Sequence, residues 1–304
     1  MNKVIFNTIS VFIIFILFSC GESATERQNK LKKEREMALK AEKMALKIAV
    51  NPTLDCLPVF VAQENKMFEN QKVSVLLKLF NAQMDCDTAF IGKSVEGMFS
   101  DLVHTEFLKR HNKIKMDYVS STNAYWQLLS NHRARIKSTS QMNDKMVGMT
   151  RFSATDFLTS KTLTKNDHSQ QFRIQINDMN IRLAMLLNNE IDAVWLQEPF
   201  AATARSKGHH VIADSRDYKN NLGVIAFRSE LNANKMRNRQ IAAFIKTYNM
   251  ACDSINKNGI GHYADIIHKY CKVNDKTIKA IEKQKYNHAG YPDKADIEVA
   301  KSFY

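Results

Sequence analysis

From Leu46 onward, short β-branched or apolar runs alternate with longer amphipathic stretches, and this alternation limits the possible folds more than any other feature of the chain. Neighbouring parallel strands need a crossover of a dozen residues or more, which a helix supplies, so the pattern predicts parallel α/β sheets. Strands are expected at residues 46–50, 73–80, 95–99, 114–119, 146–149, 172–176, 193–196, 211–213 and 224–227. Only 9 Gly and 4 Pro occur in 304 residues, which argues against a many-turned all-β architecture. The stretch 178–189 illustrates a helix between strands, with Ile181, Ala184, Met185 and Asn188 on one face and Arg182 and Asn189 off it. Beyond residue 227 the pattern turns helical, at 234–255, 263–270, 275–283 and from Pro292 to the C-terminus.

The strand-helix units fall into two clusters, one ending near Ser120 and one running from about Lys145 to Asn221. The polar stretches around Ser121 and Asn221 are the expected crossings between them. The resulting organisation is a clamshell, with residues 46–120 plus 223–304 as lobe 1 and 121–222 as lobe 2. With 44% hydrophobic and 25% charged residues, each lobe can bury its own core.

The first 45 residues have a different character. Lys3, an apolar run from Val4 to Phe18 and the sequence Leu17-Phe18-Ser19-Cys20-Gly21 have the pattern of a bacterial lipoprotein signal. Residues 1–19 would be removed and Cys20 lipidated, anchoring the chain to a membrane. Residues 20–45 read as a charged, solvated tether, with Met37, Ala41, Met44 and Ala45 at helical spacing. The formal net charge of +13 could favour anionic headgroups, but no zinc-finger or aromatic-basic pattern accompanies it, so no nucleic-acid partner is expected.

Several short motifs carry a family resemblance. Leu46-Lys47-Ile48-Ala49-Val50-Asn51-Pro52 and Ala62-Gln63-Glu64 are followed in order by Gly97-Met98-Phe99-Ser100-Asp101-Leu102, Ser153-Ala154-Thr155, Gln175-Ile176-Asn177-Asp178, Ile191-Asp192-Ala193, Glu198-Pro199 and Leu222-Gly223-Val224. Over roughly residues 46–257 the chain resembles the solute-binding proteins of the nitrate, sulfonate, taurine and thiamine-pyrimidine-precursor group. That resemblance implies the bilobed type II periplasmic-binding-protein fold. It also implies capture of a small-molecule solute by lobe closure and delivery to an ABC permease and its ATPase, by a monomer that is not an enzyme and has no cofactor. A ligand sensor without transport, or an enzyme of the same fold acting on a thiamine-pyrimidine-type compound, are the alternatives.

In α/β lobes the loops leaving the strand ends converge on the cleft. The ligand-contact candidates are therefore Thr53, Asp55, Cys56, Gln83, Asp85, Asp101, Ser121, Arg151, Phe152, Ser153, Thr155, Asn177, Asp178, Gln197 and Glu198. Ser153 at a helix start could place backbone N–H groups on an anion, with Arg151 adding a bidentate charge contact. The carboxylates Asp55, Asp85, Asp101 and Glu198 instead suit an amine-bearing ligand, leaving oxyanion, pyrimidine and amphoteric ligands all open. Asp101→Ala and Glu198→Ala are expected to weaken binding with little change in melting temperature.

Export makes Cys56, Cys86, Cys252 and Cys271 candidates for disulfides, paired as Cys56–Cys86 and Cys252–Cys271. Free buried thiols remain open, as does a soft-metal site using Cys56 and Cys86 with Asp55, Asp85 or His104, although no compact ligand spacing supports a metal. Phe152, Trp195 and Tyr125 with Trp126 could stack on a flat ligand or belong to the core. No G-x-S-x-G or H-E-x-x-H motif is present.

Overall fold

The structure, a computed structural model, describes residues 24–163 and 170–303. The lipidation site expected at Cys20 lies outside the described residues. Taken by itself, α1 (Ala24–Met44) is a polar helix whose described side chains are exposed, and no described helix is long and apolar enough to cross a membrane.

From Ala45 the chain builds two five-stranded sheets. It begins with β1 (Leu46–Val50), α2 (Leu57–Glu64), α3 (Met67–Asn70), β2 (Val75–Leu79), α4 (Gln83–Ile91), β3 (Gly97–Asp101), α5 (Leu102–His111) and β4 (Met116–Ser121). The second sheet follows with β5 (Gln127–Ser130), β6 (Lys145–Met149), α6 (Ala154–Leu163), β7 (Gln171–Gln175), α7 (Met179–Leu187), β8 (Ala193–Leu196), α8 (Phe200–Ser206) and β9 (His210–Asp214). The chain then returns as β10 (Gly223–Arg228), followed by α9 (Lys235–Asn258), α10 (Ala264–Cys271), α11 (Asp275–Lys279) and α12 (Lys294–Ser302). Strand order is β2-β1-β3-β10-β4 in the first sheet and β7-β6-β8-β5-β9 in the second.

The sheets are mixed, which corrects the expectation of purely parallel ones. β10 runs antiparallel to β3 and β4, and β5 antiparallel to β8 and β9. Each reversed strand is the first laid down after the chain crosses between sheets. β4 ends at the carboxyl edge of the first sheet, and β5 starts at the carboxyl edge of the second, where Gln127 pairs with Leu196. The same holds for Gly223, opposite Asp101 at the end of β3. A strand that starts at that edge can only run back away from it.

α2 reads Leu-Pro-Val-Phe-Val-Ala-Gln-Glu and buries Leu57 through Ala62, because it is sandwiched between the first sheet and the 24-residue α9. Asn234 caps α9 by accepting the N–H groups of Met236 and Arg237. A second core lies around β3, β10, α5 and α12 and continues into Trp195 and Leu128 of the second sheet, while a third joins Leu129, Val194 and Leu196 to α7 and α8.

α7 lies on the sheet by a different face from the one its apolar spacing predicts. Ile181 is 54% exposed, whereas Arg182 is 2% exposed. The face over the sheet carries Met179, Arg182, Leu183 and Leu186, one turn apart, so a buried guanidinium replaces an apolar residue in the stripe.

Candidate functional site

The carboxyl ends of the parallel strands of both sheets face a shared cavity with an empty volume of about 530 Å³, part of it open to solvent. Asn51, Thr53 and Asp55 follow β1, Gln83 opens α4 after β2, and Phe99, Ser100 and Asp101 end β3. From the second sheet come Thr150, Ser153 and Thr155 after β6, Asn177, Met179 and Arg182 after β7, Gln197 after β8 and Trp126 before β5. The loops at this edge are free of ladder pairing, so they can turn polar side chains into the cavity without costing a sheet hydrogen bond.

Eight of the sequence candidates line this cavity: Thr53, Asp55, Gln83, Asp101, Ser153, Thr155, Asn177 and Gln197. The others lie elsewhere. Cys56 is fully buried behind Thr53, whose Oγ1 lies 3.8 Å from its Sγ. Asp85 is exposed in the first turn of α4, Asp178 is the N-cap of α7, and Ser121 reaches the Gly290 carbonyl. Arg151 is exposed, and Phe152 stacks on Phe107 at 4.1 Å outside the cavity. Trp195 belongs to the core, donating from Nε1 to Thr159 at 2.9 Å.

Glu198 is buried in a structural network. Its carboxylate accepts from Arg205 Nη2 at 2.6 Å, Ala202 N at 2.9 Å and the Tyr125 hydroxyl at 3.0 Å. Burial raises the Glu198 pKa, opposed by the adjacent Arg205. Against the expectation that Glu198→Ala would leave the melting temperature nearly unchanged, the substitution takes from the mostly buried Arg205 its closest charge partner and leaves it Gln127, the Ala280 carbonyl and Glu282 at 3.9 Å.

Ser153 caps α6 as expected, accepting the Thr155 N–H at 3.1 Å, but the anion at this helix end is the protein's own. Asp101 Oδ1 accepts the Ala154 N–H at 2.9 Å and, as N-cap of α5, the His104 N–H at 2.8 Å. Burial pushes the Asp101 pKa up to about 6, against the charge of His104. His104 in turn donates from Nε2 to Asp87 Oδ2 at 2.5 Å and from Nδ1 to the Phe152 carbonyl at 2.8 Å. Burial alone would lower the His104 pKa, but Asp87, Asp101 and that carbonyl outweigh it and raise it to about 9, so the ring is an imidazolium at neutral pH.

Two ionisable groups in the cavity form no ion pair with another described side chain. Asp55 Oδ2 receives a long 3.4 Å hydrogen bond from Thr122, and buried Oδ1 has no hydrogen-bond partner. Burial raises its pKa, against hydrogen bonds from Thr53, its own backbone and Thr122. Arg182 is bonded only to neutral oxygens: Nε and Nη2 to the Ile176 carbonyl at 3.1 and 2.5 Å, Nη1 to the Trp195 carbonyl at 2.7 Å, and Nη2 to Thr150 Oγ1 at 2.7 Å. Burial lowers its pKa to about 10, against the charge of Asp178, which leaves it charged. Sequence reasoning missed Arg182 and Met179, because only packing shows which face of α7 meets the sheet, and it missed Phe99, which lies within β3 before the strand-end loop.

The described cysteines Cys56, Cys86, Cys252 and Cys271 are free and buried, so the two expected disulfides are not formed. Cys86 Sγ points to Asn51 Oδ1 at 3.7 Å and Cys56 takes the Thr53 hydroxyl, so each thiol faces its own polar neighbour. Burial, with Asp55 beside Cys56 and Asp87 beside Cys86, pushes both thiols far above the ordinary range. Among the described residues no group of three or more His, Cys, Asp or Glu is placed to hold a metal ion.

No family model matches the chain, and no curated protein matches its sequence. Solved structures do match. The ligand-binding component of an ABC-type import system from Staphylococcus aureus, with zinc bound, is 16% identical, with a TM-score of 0.69 over 84% of this chain and 89% of that one. The alkanesulfonate-binding protein SsuA from Xanthomonas axonopodis pv. citri, bound to MOPS, is 13% identical, with a TM-score of 0.70 over 85% and 90%. The periplasmic nitrate-binding protein NrtA from Synechocystis PCC 6803 is 10% identical, with a TM-score of 0.66 over 78% and 69%. The chain has the type II periplasmic-binding-protein fold. Two α/β lobes with a cleft between them, as the sequence implied, are its architecture.

Proposed function

We propose that this chain is an extracytoplasmic solute-binding lipoprotein that captures a small molecule by lobe closure and delivers it to an ABC permease and its ATPase. The observation that carries the reading is the polar cavity at the strand ends of both sheets, spanned by protein hydrogen bonds such as Asp101 to Ala154 and His104 to Phe152. A solute contacting both walls adds to those bonds only in the closed state, so it shifts the population toward closure. Lobe 1 in this proposal is residues 46–120 with 223–304, lobe 2 is 121–222, and the acylated Cys20 holds the protein at a bacterial membrane.

An enzyme reading finds no support at the thiols, because burial keeps Cys56 and Cys86 protonated and unreactive. The contact set of the proposal is the eight cavity-lining candidates together with Asn51, Ser100, Trp126, Thr150 and Arg182. Native mass spectrometry of the full chain in detergent, before and after unfolding, tests it. Release of a stoichiometric small molecule is the expected result. An empty chain whose melting temperature moves with no member of a broad library of small solutes would overturn the reading.

A further inference from the structure

We infer that the solute is amphoteric, with an N–H donor group seated at Asp55 and an anionic group seated at the Arg182–Thr150 pair. This rests on the solute-binding reading and adds the chemistry of the ligand to it. The first observation is Asp55 Oδ1, an acceptor buried against the cavity wall of the first sheet with no protein partner. Buried polar atoms in folded proteins are nearly always satisfied, so this oxygen marks where a donor is missing. Thr122 reaches only the other oxygen, and the nearby Tyr286 hydroxyl is turned away to the Leu54 carbonyl at 2.9 Å.

The second observation comes from the opposite wall. Arg182 is a buried cation whose hydrogen bonds all end on carbonyls and one hydroxyl, and it forms no ion pair among the described residues. Neutral acceptors satisfy its N–H groups, and Asp178, the N-cap of its own helix, acts on its charge without forming an ion pair, so that charge is only partly balanced. Thr150 Oγ1 accepts from Arg182, so its own proton is available to the cavity and is polarised by the guanidinium. An anionic group beside Thr150 would accept a hydrogen bond from that hydroxyl and complete the balance of charge.

An ammonium or amidine alone would leave Arg182 without an ion-pair partner, and an oxyanion alone would leave Asp55 Oδ1 empty. A molecule carrying both answers the two walls at once. The oxyanion position at the start of α6 is already filled by Asp101, so the acidic end has Arg182 and Thr150 as its remaining site.

The test uses the full chain in detergent, freed of bound solute by unfolding and refolding. β-Alanine, 4-aminobutanoate and 2-aminoethylphosphonate are compared calorimetrically with the single-ended butanoate, ethylphosphonate and butylamine. At least one amphoteric compound is expected to bind about tenfold or more tightly than either single-ended counterpart, since it makes one charge-assisted contact that each counterpart lacks, worth about tenfold or more. Asp55→Asn should abolish the advantage conferred by the amine, and Thr150→Val should weaken the amphoteric and anionic compounds about tenfold while sparing butylamine. Circular dichroism of both variants guards against misfolding. Single-ended compounds that bind as tightly, or variants that keep the wild-type ranking, would overturn the inference. Should the molecule released in native mass spectrometry lack either an acidic or an N–H group, the inference fails and the solute-binding reading stands. If nothing is released and nothing in the panel or a broader library binds, both fail.

Discussion

Asp101 Oδ1, at the cavity end of β3, accepts the Ala154 N–H at 2.9 Å, so a side chain of the first sheet caps a helix of the second. The same oxygen caps α5 through His104 N, which makes one carboxylate the terminus of two helices. Favourable dipole contacts from both helices hold it in place although it is buried.

Asp101→Ala should therefore destabilise the protein, contrary to the expectation that it would affect binding alone. A lost N-cap costs about 1 kcal/mol and an orphaned buried N–H about 1–3 kcal/mol. A loss of roughly 2–4 kcal/mol in urea unfolding is expected. A loss below about 0.5 kcal/mol would show that water replaces the carboxylate at both helices.

His104 makes stability depend on alkaline pH. Its folded-state pKa of about 9 lies above the ordinary 6.5, so the imidazolium contributes fully below pH 6.5 and its contribution is lost as pH rises through about 9. The span corresponds to roughly 3 kcal/mol for this buried group. Unfolding free energy measured from pH 6 to 10 should fall by about that amount, and His104→Gln should flatten the decline. An equal decline in the variant would assign it to other groups.

Glu198 and Arg205 form a buried pair at 2.6 Å that a single substitution leaves half made. Glu198→Ala should cost about 3–5 kcal/mol, whereas the double variant Glu198→Gln with Arg205→Met should cost much less, because no charge is then left without a partner. Thermal unfolding of the two variants side by side checks the order.

The thiols should be silent until the chain unfolds. In a Cys20→Ser chain purified without reductant, a thiol reagent at pH 8 should react with none of the four buried cysteines in the native state and with all four in guanidinium. Burial pushes Cys252 and Cys271 up to about 12, so neither supplies much thiolate at that pH. Fewer than four reactive groups after unfolding would reveal a disulfide.

Gly97→Ala probes the contact between β3 and β10. A Cβ there would stand 2.5 Å from the Phe227 ring, which is 2% exposed and has little room to turn. A cost of about 1–3 kcal/mol from overpacking is expected in chemical denaturation.

Much of the fold was legible along the chain because local preference and burial agree there. β1 and β8 begin and end where their apolar runs do, and α9 starts at the residue after its capping Asn234. β5 escaped notice, since Gln127-Leu128-Leu129-Ser130 is short, lacks β-branched residues and is buried at both polar ends, so no alternation marks it. Half of the candidate site followed from a rule about strand ends that needs only strand order, and this is why Thr53, Asp55, Gln83, Asp101, Ser153, Thr155, Asn177 and Gln197 fall together.

By itself the sequence determined most of the segments that become strands and helices, β5 excepted, and which strand-end loops can supply polar groups, because those depend on residue type and spacing over a few neighbours. Tertiary structure alone decided that β5 and β10 run backwards, that Asp101 rather than a solute caps α6, and that Arg182 faces inward. Those outcomes depend on what lies opposite each element, and no local pattern encodes the partner across a cleft.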